Sequence, residues 1–154
     1  MDALRLREAY MIQIRRHALV RYTPERMFDL VNDVEAYPTR FQWCAGAQVL
    51  QREGDAELTA RLDLRFAGLT QSFTTRNTLE RPQRLHMHLV DGPLRALEGE
   101  WTFAPLGDDG CRIALALDFD YAGFLAGSAL RLGFQGLANR MVDDFCTAAA
   151  KVYG

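Results

Sequence analysis

Lysine is almost absent from this sequence of 154 residues, in which 17 of the 18 basic residues are arginines. Acidic residues slightly outnumber them, which gives a formal net charge of −2 and a pI near 5.9. This balance argues against a DNA-binding protein, and the 49% hydrophobic content excludes intrinsic disorder. The arginine excess has two interpretations: a GC-rich genome, or a surface that grips phosphate and carboxylate groups.

Cysteine is also scarce, and the three that occur, Cys44, Cys111 and Cys146, are widely spaced. They form no C-x-x-C pair, which argues against a disulfide framework or a structural zinc site and favours a reducing compartment. No run reaches the roughly 18 apolar residues of a membrane span, and the charged first ten residues have no signal-peptide core. We therefore expect a cytoplasmic protein that touches the inner membrane at most peripherally.

The sequence carries no motif that identifies a catalyst. A nucleophile elbow, a P-loop, a dinucleotide-binding glycine motif and the metalloprotease motif H-E-x-x-H are all missing. His86 and His88 form the only histidine pair, but strand alternation turns them outward, as it does His17. We therefore expect no catalytic residue and no metal site, and we predict a protein that binds rather than catalyses.

The chain length fits a single domain, which we place at residues 11–154. Met11 directly precedes the first strand pattern and is an alternative translation start. In that case residues 1–10 are a disordered leader.

The order of periodicities predicts an α+β fold. Alternating apolar residues over 12–20 predict a strand, and Thr23 and Pro24 predict the cap and first turn of a helix that Tyr37-Pro38 interrupts. About six further strands follow, separated by turn signals at roughly ten-residue intervals. Apolar residues then recur every three or four positions over about 28 residues, which predicts a long amphipathic helix. We expect an antiparallel sheet with one apolar face to curl around this helix.

Four segments in order resemble one protein family. They are VNDVEAYP at 31–38, FTTRN at 73–77, VDGPLRALEGEWTF at 90–103 and CRIALALDFDY at 111–121. The chain is similar, from about Met11 to Tyr153, to the coenzyme Q-binding START-like proteins of the polyketide cyclase/dehydrase and lipid-transport superfamily. The bacterial branch of that family includes ribosome-association toxins. The resemblance implies a helix-grip fold, in which about seven antiparallel strands wrap around the C-terminal helix and enclose a hydrophobic tunnel.

A tunnel of this kind would hold a hydrophobic ligand through apolar side chains. Gly99 lies within a strand beside Trp101 and is expected to leave a gap there. The residues predicted to line the tunnel are Phe66, Phe73, Leu89, Leu97, Gly99, Trp101, Phe119, Phe134, Leu137 and Met141. Its mouth is predicted to consist of Tyr37, Pro38, Phe41 and Trp43, with Leu94 at the opposing turn.

The resemblance supports three hypotheses. The leading one is non-enzymatic binding of a polyprenyl quinone (a ubiquinone-like lipid) or another hydrophobic small molecule, with transient contact to a membrane surface and a role in quinone delivery or respiration. No cofactor is expected.

The first alternative is a toxin-like protein that binds the large ribosomal subunit and blocks subunit joining. A set of outward-facing arginines would then contact phosphate. This set is Arg15, Arg21, Arg61, Arg65 and Arg76. The second alternative is a polyketide cyclase/dehydratase-like enzyme, which needs an acid/base pair inside the cavity.

Overall fold

The computed structural model describes residues 11–121 and 127–154, and the predicted leader lies outside these ranges. The described residues form seven strands: β1 (Ile12–Val20), β2 (Cys44–Glu53), β3 (Glu57–Phe66), β4 (Leu69–Glu80), β5 (Arg84–Asp91), β6 (Leu94–Leu106) and β7 (Gly110–Tyr121). Strands β1 and β2 are connected by helix α1 (Pro24–Asn32), a 3-10 turn (Val34–Ala36) and the short helix α2 (Tyr37–Arg40). Helix α3 (Ser128–Tyr153) follows the sheet. No helix of these described ranges is long and apolar enough to cross a bilayer.

All seven strands belong to one antiparallel sheet in the order β1-β7-β6-β5-β4-β3-β2. Consecutive strands from β2 to β7 pair as neighbours, and β1 closes the sheet against β7. Helix α3 contacts β1 at one edge of the sheet and β3 near the other, as well as β7. A single helix reaches both sides of the sheet only if the sheet curls around it, so the predicted helix-grip arrangement is confirmed.

Strict alternation puts one face of each long strand against α3. In β3, Leu58, Ala60 and Leu64 are buried, while the arginines between them face outward. Strand β7 repeats the pattern with Ile113 and Leu115. Because the side chains of a strand alternate between faces, this pattern alone determines which half of each strand joins the core.

Helix α1 begins as predicted but ends earlier. The Thr23 hydroxyl oxygen accepts a hydrogen bond from the Arg26 backbone N–H at 3.2 Å, and Pro24 occupies the first turn. The prediction that Tyr37-Pro38 interrupts this helix was wrong, because α1 already ends at Asn32 and Asp33 leaves helical geometry with ψ 65°. Pro38 instead lies in the first turn of α2, where its missing N–H would have no helical partner.

Helix α3 approaches the β3–β4 turn closely at Gly133. A Cβ atom at this position would lie 3.1 Å from the backbone nitrogen of Ala67, which is tighter than an ordinary van der Waals contact. Ala67 itself has a positive φ of 52° in this tight turn. The small residue therefore lets the first turns of α3 rest on the end of the sheet.

We expect the substitution Thr23→Ala to lower the free energy of unfolding by about 1 kcal/mol, because it removes the side-chain cap of α1. Urea denaturation monitored by circular dichroism measures the change, which corresponds to a fall in Tm of about 2–4 °C for a domain of this size. Thr23→Ser keeps the hydroxyl and should remain within a few tenths of a kcal/mol of wild type. Equal losses in both variants would show that the cap contributes nothing.

Candidate functional site

An apolar cavity of about 80 Å³ lies between the sheet and α3. It is lined by Val31, Val34, Tyr37, Trp43, Ala60, Leu62, Leu64, Phe73, Thr75, Asn77, Leu85, Met87, Leu97, Trp101, Leu115, Leu117, Phe134, Ala138, Met141 and Phe145. For comparison, an engineered cavity that binds benzene measures about 150 Å³. A ligand of that size or larger must therefore displace wall side chains on entry.

Two groups of aromatic side chains contribute to the cavity wall. The Phe145 cluster consists of Tyr37, Phe41, Trp43, Trp101 and Phe145, and the Phe134 cluster of Phe66, Phe73, Phe119, Tyr121 and Phe134. Ring centroids lie 4.7 Å apart for Phe41–Phe145 and 4.9 Å apart for Phe119–Phe134. The two α3 rings are eleven residues apart, about 16 Å along the helix. Between them α3 presents only Ala138 and Met141 to the cavity.

Half of the predicted tunnel residues lie on the cavity wall. Those that line it are Phe73, Leu97, Trp101, Phe134 and Met141. The others, which do not line it, are Phe66, Leu89, Gly99, Phe119 and Leu137. Phe66 and Phe119 support the wall from behind, through ring contacts with Phe134. Leu137 is fully buried one helical turn further on.

Gly99 leaves no gap for a ligand. It pairs in regular register with Met87 on β5 and Leu117 on β7. A Cβ atom at position 99 would lie 2.5 Å from the terminal methyl carbon of Met87 and 3.0 Å from Leu117 Cδ1. The space beside the glycine is thus filled by Met87, a side chain that also lines the cavity.

The five predicted mouth residues do not come together. Tyr37 and Trp43 line the cavity, whereas Pro38 and Phe41 do not. Leu94 pairs with Tyr121, the last residue of β7. The Tyr121 ring belongs to the Phe134 cluster, so Leu94 lies far from the Phe145 cluster. Tyr37 and Trp43 are each only 7% exposed. The α2 segment therefore covers the Phe145 end of the cavity with packed aromatic rings.

Sequence reasoning missed the polar part of the cavity wall. Asn77 is 4% exposed and is the only buried polar or charged residue in the described part of the chain. Its Oδ1 accepts a hydrogen bond from the Thr75 hydroxyl at 2.8 Å, whereas its Nδ2 has no hydrogen-bond partner among the described residues. The sequence did indicate the position of Asn77, because it is four residues from Phe73 in the segment FTTRN and therefore lies on the same face of the strand. An amide donor thus faces an otherwise apolar space.

Another polar group of the wall is the Tyr37 hydroxyl. It donates a hydrogen bond to the Val31 carbonyl oxygen, and burial raises its pKa, so it stays protonated. None of the described residues that line the cavity is a histidine, carboxylate, lysine or arginine. The cavity is therefore suited to a neutral, largely apolar molecule that carries one hydrogen-bond acceptor.

The thiols and imidazoles lie apart from the cavity. Cys44 and Cys111 are free and buried, and burial raises the pKa of each thiol to about 11, which removes the reactive thiolate at neutral pH. His86 and His88 lie on the outer face of the sheet, where both contact Glu98, with 3.0 Å between His86 Nε2 and Glu98 Oε2. Over residues 11–121 and 127–154, no group of three or more ligating side chains is placed to hold a metal ion.

The five arginines predicted to contact phosphate are all exposed, but their surroundings differ. Arg15, Arg61 and Arg76 form ion pairs at 2.8–3.2 Å with Asp118, Asp63 and Glu57 respectively. Within the described ranges, Arg21 and Arg65 have no carboxylate partner. Ion pairs therefore neutralise three of the five candidate cations, two of them between neighbouring strands and one within β3.

A curled sheet that grips one helix, with an apolar cavity between them, defines a helix-grip domain. The chain belongs to the polyketide cyclase / dehydrase and lipid transport family, which it matches over residues 20–146.

Several relatives are similar over nearly the whole chain. The Ribosome association toxin RatA of Escherichia coli (strain K12) is 43% identical over 148 residues, which cover 96% of this chain and 93% of the relative. A protein of the same name from Pseudomonas aeruginosa is 44% identical over 141 residues, which cover 92% of this chain and 97% of the relative. A more distant relative, the mitochondrial Coenzyme Q-binding protein COQ10 homolog B of Xenopus laevis, is 25% identical over 86% of this chain and 56% of its own length.

Solved structures share the architecture at lower sequence identity. The Zhui aromatase/cyclase from Streptomyces sp. R1128 superposes with a TM-score of 0.79 at 18% identity, covering 92% of this chain and 94% of that one. At this level of identity the likeness shows a common fold and carries no information about activity.

We expect Gly99→Ala to push the Met87 methyl group into the cavity and to weaken the binding of decylubiquinone, used here as a probe. The free energy of unfolding should fall by no more than about 1–3 kcal/mol, the usual range for overpacking. Titrations followed by tryptophan fluorescence report on binding because Trp43 and Trp101 line the cavity. The double variant Gly99→Ala/Met87→Ala restores the space and should bind the probe again; if it does not, the Met87 methyl is not what limits the cavity.

Proposed function

We propose that this protein is a cytoplasmic, non-enzymatic binding protein that associates with the large ribosomal subunit and interferes with subunit joining. The observation that carries the proposal is the 43–44% identity, over nearly the full length of both chains, to proteins named for ribosome association. A similarity of that extent and coverage outweighs the distant quinone-binding relative at 25% identity. Ribosome association therefore becomes the first candidate, ahead of quinone binding.

Purified protein should co-sediment with isolated large subunits, and not with small subunits, on sucrose gradients. Raised expression in cells should lower the 70S peak and increase the free subunit peaks. Since phosphate contacts depend strongly on salt, the association should weaken as monovalent salt is raised. Protein that stays at the top of the gradient with both subunits at low salt, together with an unchanged cellular profile, would rule out this function.

A second candidate function is the binding of a polyprenyl quinone in the cavity, and Asn77 is the observation that favours it. Asn77 lines the cavity, and its side-chain Nδ2 has no hydrogen-bond partner among the described residues. A donor that is left unpaired in an apolar site costs about 1–3 kcal/mol, and a ligand carbonyl oxygen would remove that cost. A quinone head group offers two such carbonyl oxygens on an otherwise apolar molecule.

The cavity can hold such a ligand only by expanding. Met87 and Met141 on its wall are flexible side chains that adapt to irregular shapes. Burying one isoprene unit contributes roughly 4 kcal/mol relative to water, at about 0.8 kcal/mol per CH2-sized group. A bilayer is equally apolar, however, so the protein would exchange the lipid during transient membrane contact instead of storing it.

We infer that the cavity binds without catalysis. General acid–base chemistry needs a titratable group within hydrogen-bond reach of the ligand. The one titratable side chain on the described wall is Tyr37, whose hydroxyl is held by the Val31 carbonyl. Among the described residues, none on the wall forms the acid/base pair that the cyclase-like hypothesis requires, which supports the two binding functions as the proposals.

We expect Asn77→Leu to weaken decylubiquinone binding about tenfold, since a hydrogen bond contributes about 0.5–1.5 kcal/mol. The free energy of unfolding should fall by about 0.5–1.5 kcal/mol, because leucine keeps a similar volume but removes the acceptor of the Thr75 hydroxyl. Dodecane, which has no acceptor, serves as the control ligand and should bind the variant at least as well as wild type. An equal loss for both ligands would assign the effect to packing and would falsify the role of the amide.

A further inference from the structure

A groove of about 730 Å³ lies on the outside of the domain, between the α2–β2 connection and the C-terminal turns of α3. We call it the basic groove. It is lined by Thr39, Arg40, Phe41, Gln42, Trp43, Arg65, Arg140, Asp144, Thr147, Ala148, Lys151 and Val152. Four of these side chains are cations and one is a carboxylate, in a chain whose formal net charge is −2. The groove therefore has a charge opposite to that of the molecule.

Three of the four cations have no carboxylate partner. Arg40 is paired with Asp33 at 3.1 Å. Arg65 donates only to a backbone carbonyl, that of Gln42, at 3.0 Å. The side chains of Arg140 and Lys151 form neither a hydrogen bond nor an ion pair with any residue in the described ranges. Three unneutralised positive charges thus face one groove.

Several arginines outside the groove are paired with carboxylates. On the outer face of the sheet, arginines are matched by carboxylates on neighbouring strands, as in Arg84–Glu100 at 2.7 Å, and Arg81 forms a two-bonded pair with Asp29. What sets the basic groove apart is that three cations without a carboxylate partner line one concave surface. These cations attract an anionic ligand that enters the groove.

The groove has a defined shape. The Trp43 indole N–H donates to Asp144 Oδ2 at 2.9 Å, which holds the one carboxylate of the groove against its aromatic wall. Arg140 and Lys151 are eleven residues apart on α3, about 16 Å along the helix axis, and Arg65 projects from β3. Charges spread over that length suit a chain of phosphates better than one small anion.

We propose that the basic groove binds the sugar-phosphate backbone of RNA and is the surface through which this protein contacts the ribosome. This inference rests on the proposed ribosome association. A lipid surface fits the groove less well, because insertion into a membrane requires exposed apolar anchors. Val152 is the only large hydrophobic lining residue that is exposed, while Phe41 and Trp43 are buried.

The test compares two double variants that each remove two positive charges. Arg140→Gln/Lys151→Gln alters the groove at exposed helix positions where glutamine has a similar helix propensity. Arg81→Gln/Arg84→Gln is the matched control, because both of its arginines are exposed and ion-paired outside the groove. Thermal melting establishes that both variants are folded. Fluorescence anisotropy of a labelled single-stranded 16-nucleotide RNA then measures affinity between 20 and 200 mM salt.

For three phosphate contacts, wild type should show a slope of log K against log salt near −2, at about −0.7 per contact. The groove variant should bind at least tenfold more weakly at low salt, with a slope that is shallower by about 1.4. The control variant should behave like wild type. Equal weakening in both variants, or in neither, overturns the proposal.

Two further measurements separate this inference from the function on which it rests. If wild type co-sediments with large subunits and the groove variant does so equally well, the groove assignment is wrong while ribosome association stands. If wild type does not co-sediment at all, the proposed function itself has failed, whatever the RNA titration shows. Vesicles that contain phosphatidylglycerol are the competing partner, and a loss of vesicle binding that exceeds the loss of RNA binding would reject RNA as the ligand of the groove.

Discussion

The architecture depends on how α3 is held inside the sheet. Two rings on this helix, Phe134 and Phe145, insert into separate aromatic clusters three turns apart, and the α3 side chains that face the cavity between them are Ala138 and Met141. Rings anchored at two points keep the helix at a fixed distance from the strands, because close-packed aromatic side chains cannot collapse further. Ala138 is too small to fill the remaining space, and Met141 fills only part of it. The cavity is therefore a direct result of the packing at its two ends.

The cavity lowers the stability of the fold only moderately. At about 24 cal/mol per Å³, a void of about 80 Å³ lowers stability by about 2 kcal/mol. A domain of this size can carry that loss, because the inner faces of long strands such as β6 and β7 are well packed. The buried amide of Asn77 adds a second unfavourable contribution at the same place. Both costs are lowered by a ligand with apolar carbons and a carbonyl oxygen.

Much of the fold could be predicted from local sequence patterns. The bounds of β1, the cap of α1 at Thr23, the turn positions and the amphipathic α3 all follow from the periodicity or chemistry of short segments. The site was harder to predict, because it depends on side chains that meet only in the folded chain. Leu94 and Tyr37 both belong to the core but lie at different ends of α3, and no local pattern indicates this distance. Met87 fills the space beside Gly99 because of the β5–β6 register. The β1–β7 register places Asp118 diagonally opposite Arg15, where the two form an ion pair.

Trp43 belongs to two surfaces at once. Its ring forms part of the wall of the apolar cavity, and it also lines the basic groove, where its indole N–H is bound to Asp144. The interior and the exterior of the protein are therefore separated by a single side chain at this point. If a guest in the cavity changes the position of that ring, it changes the shape and charge of the groove, and an anion in the groove must then affect the guest by the same free energy. A lipid could in this way regulate attachment to RNA without touching it.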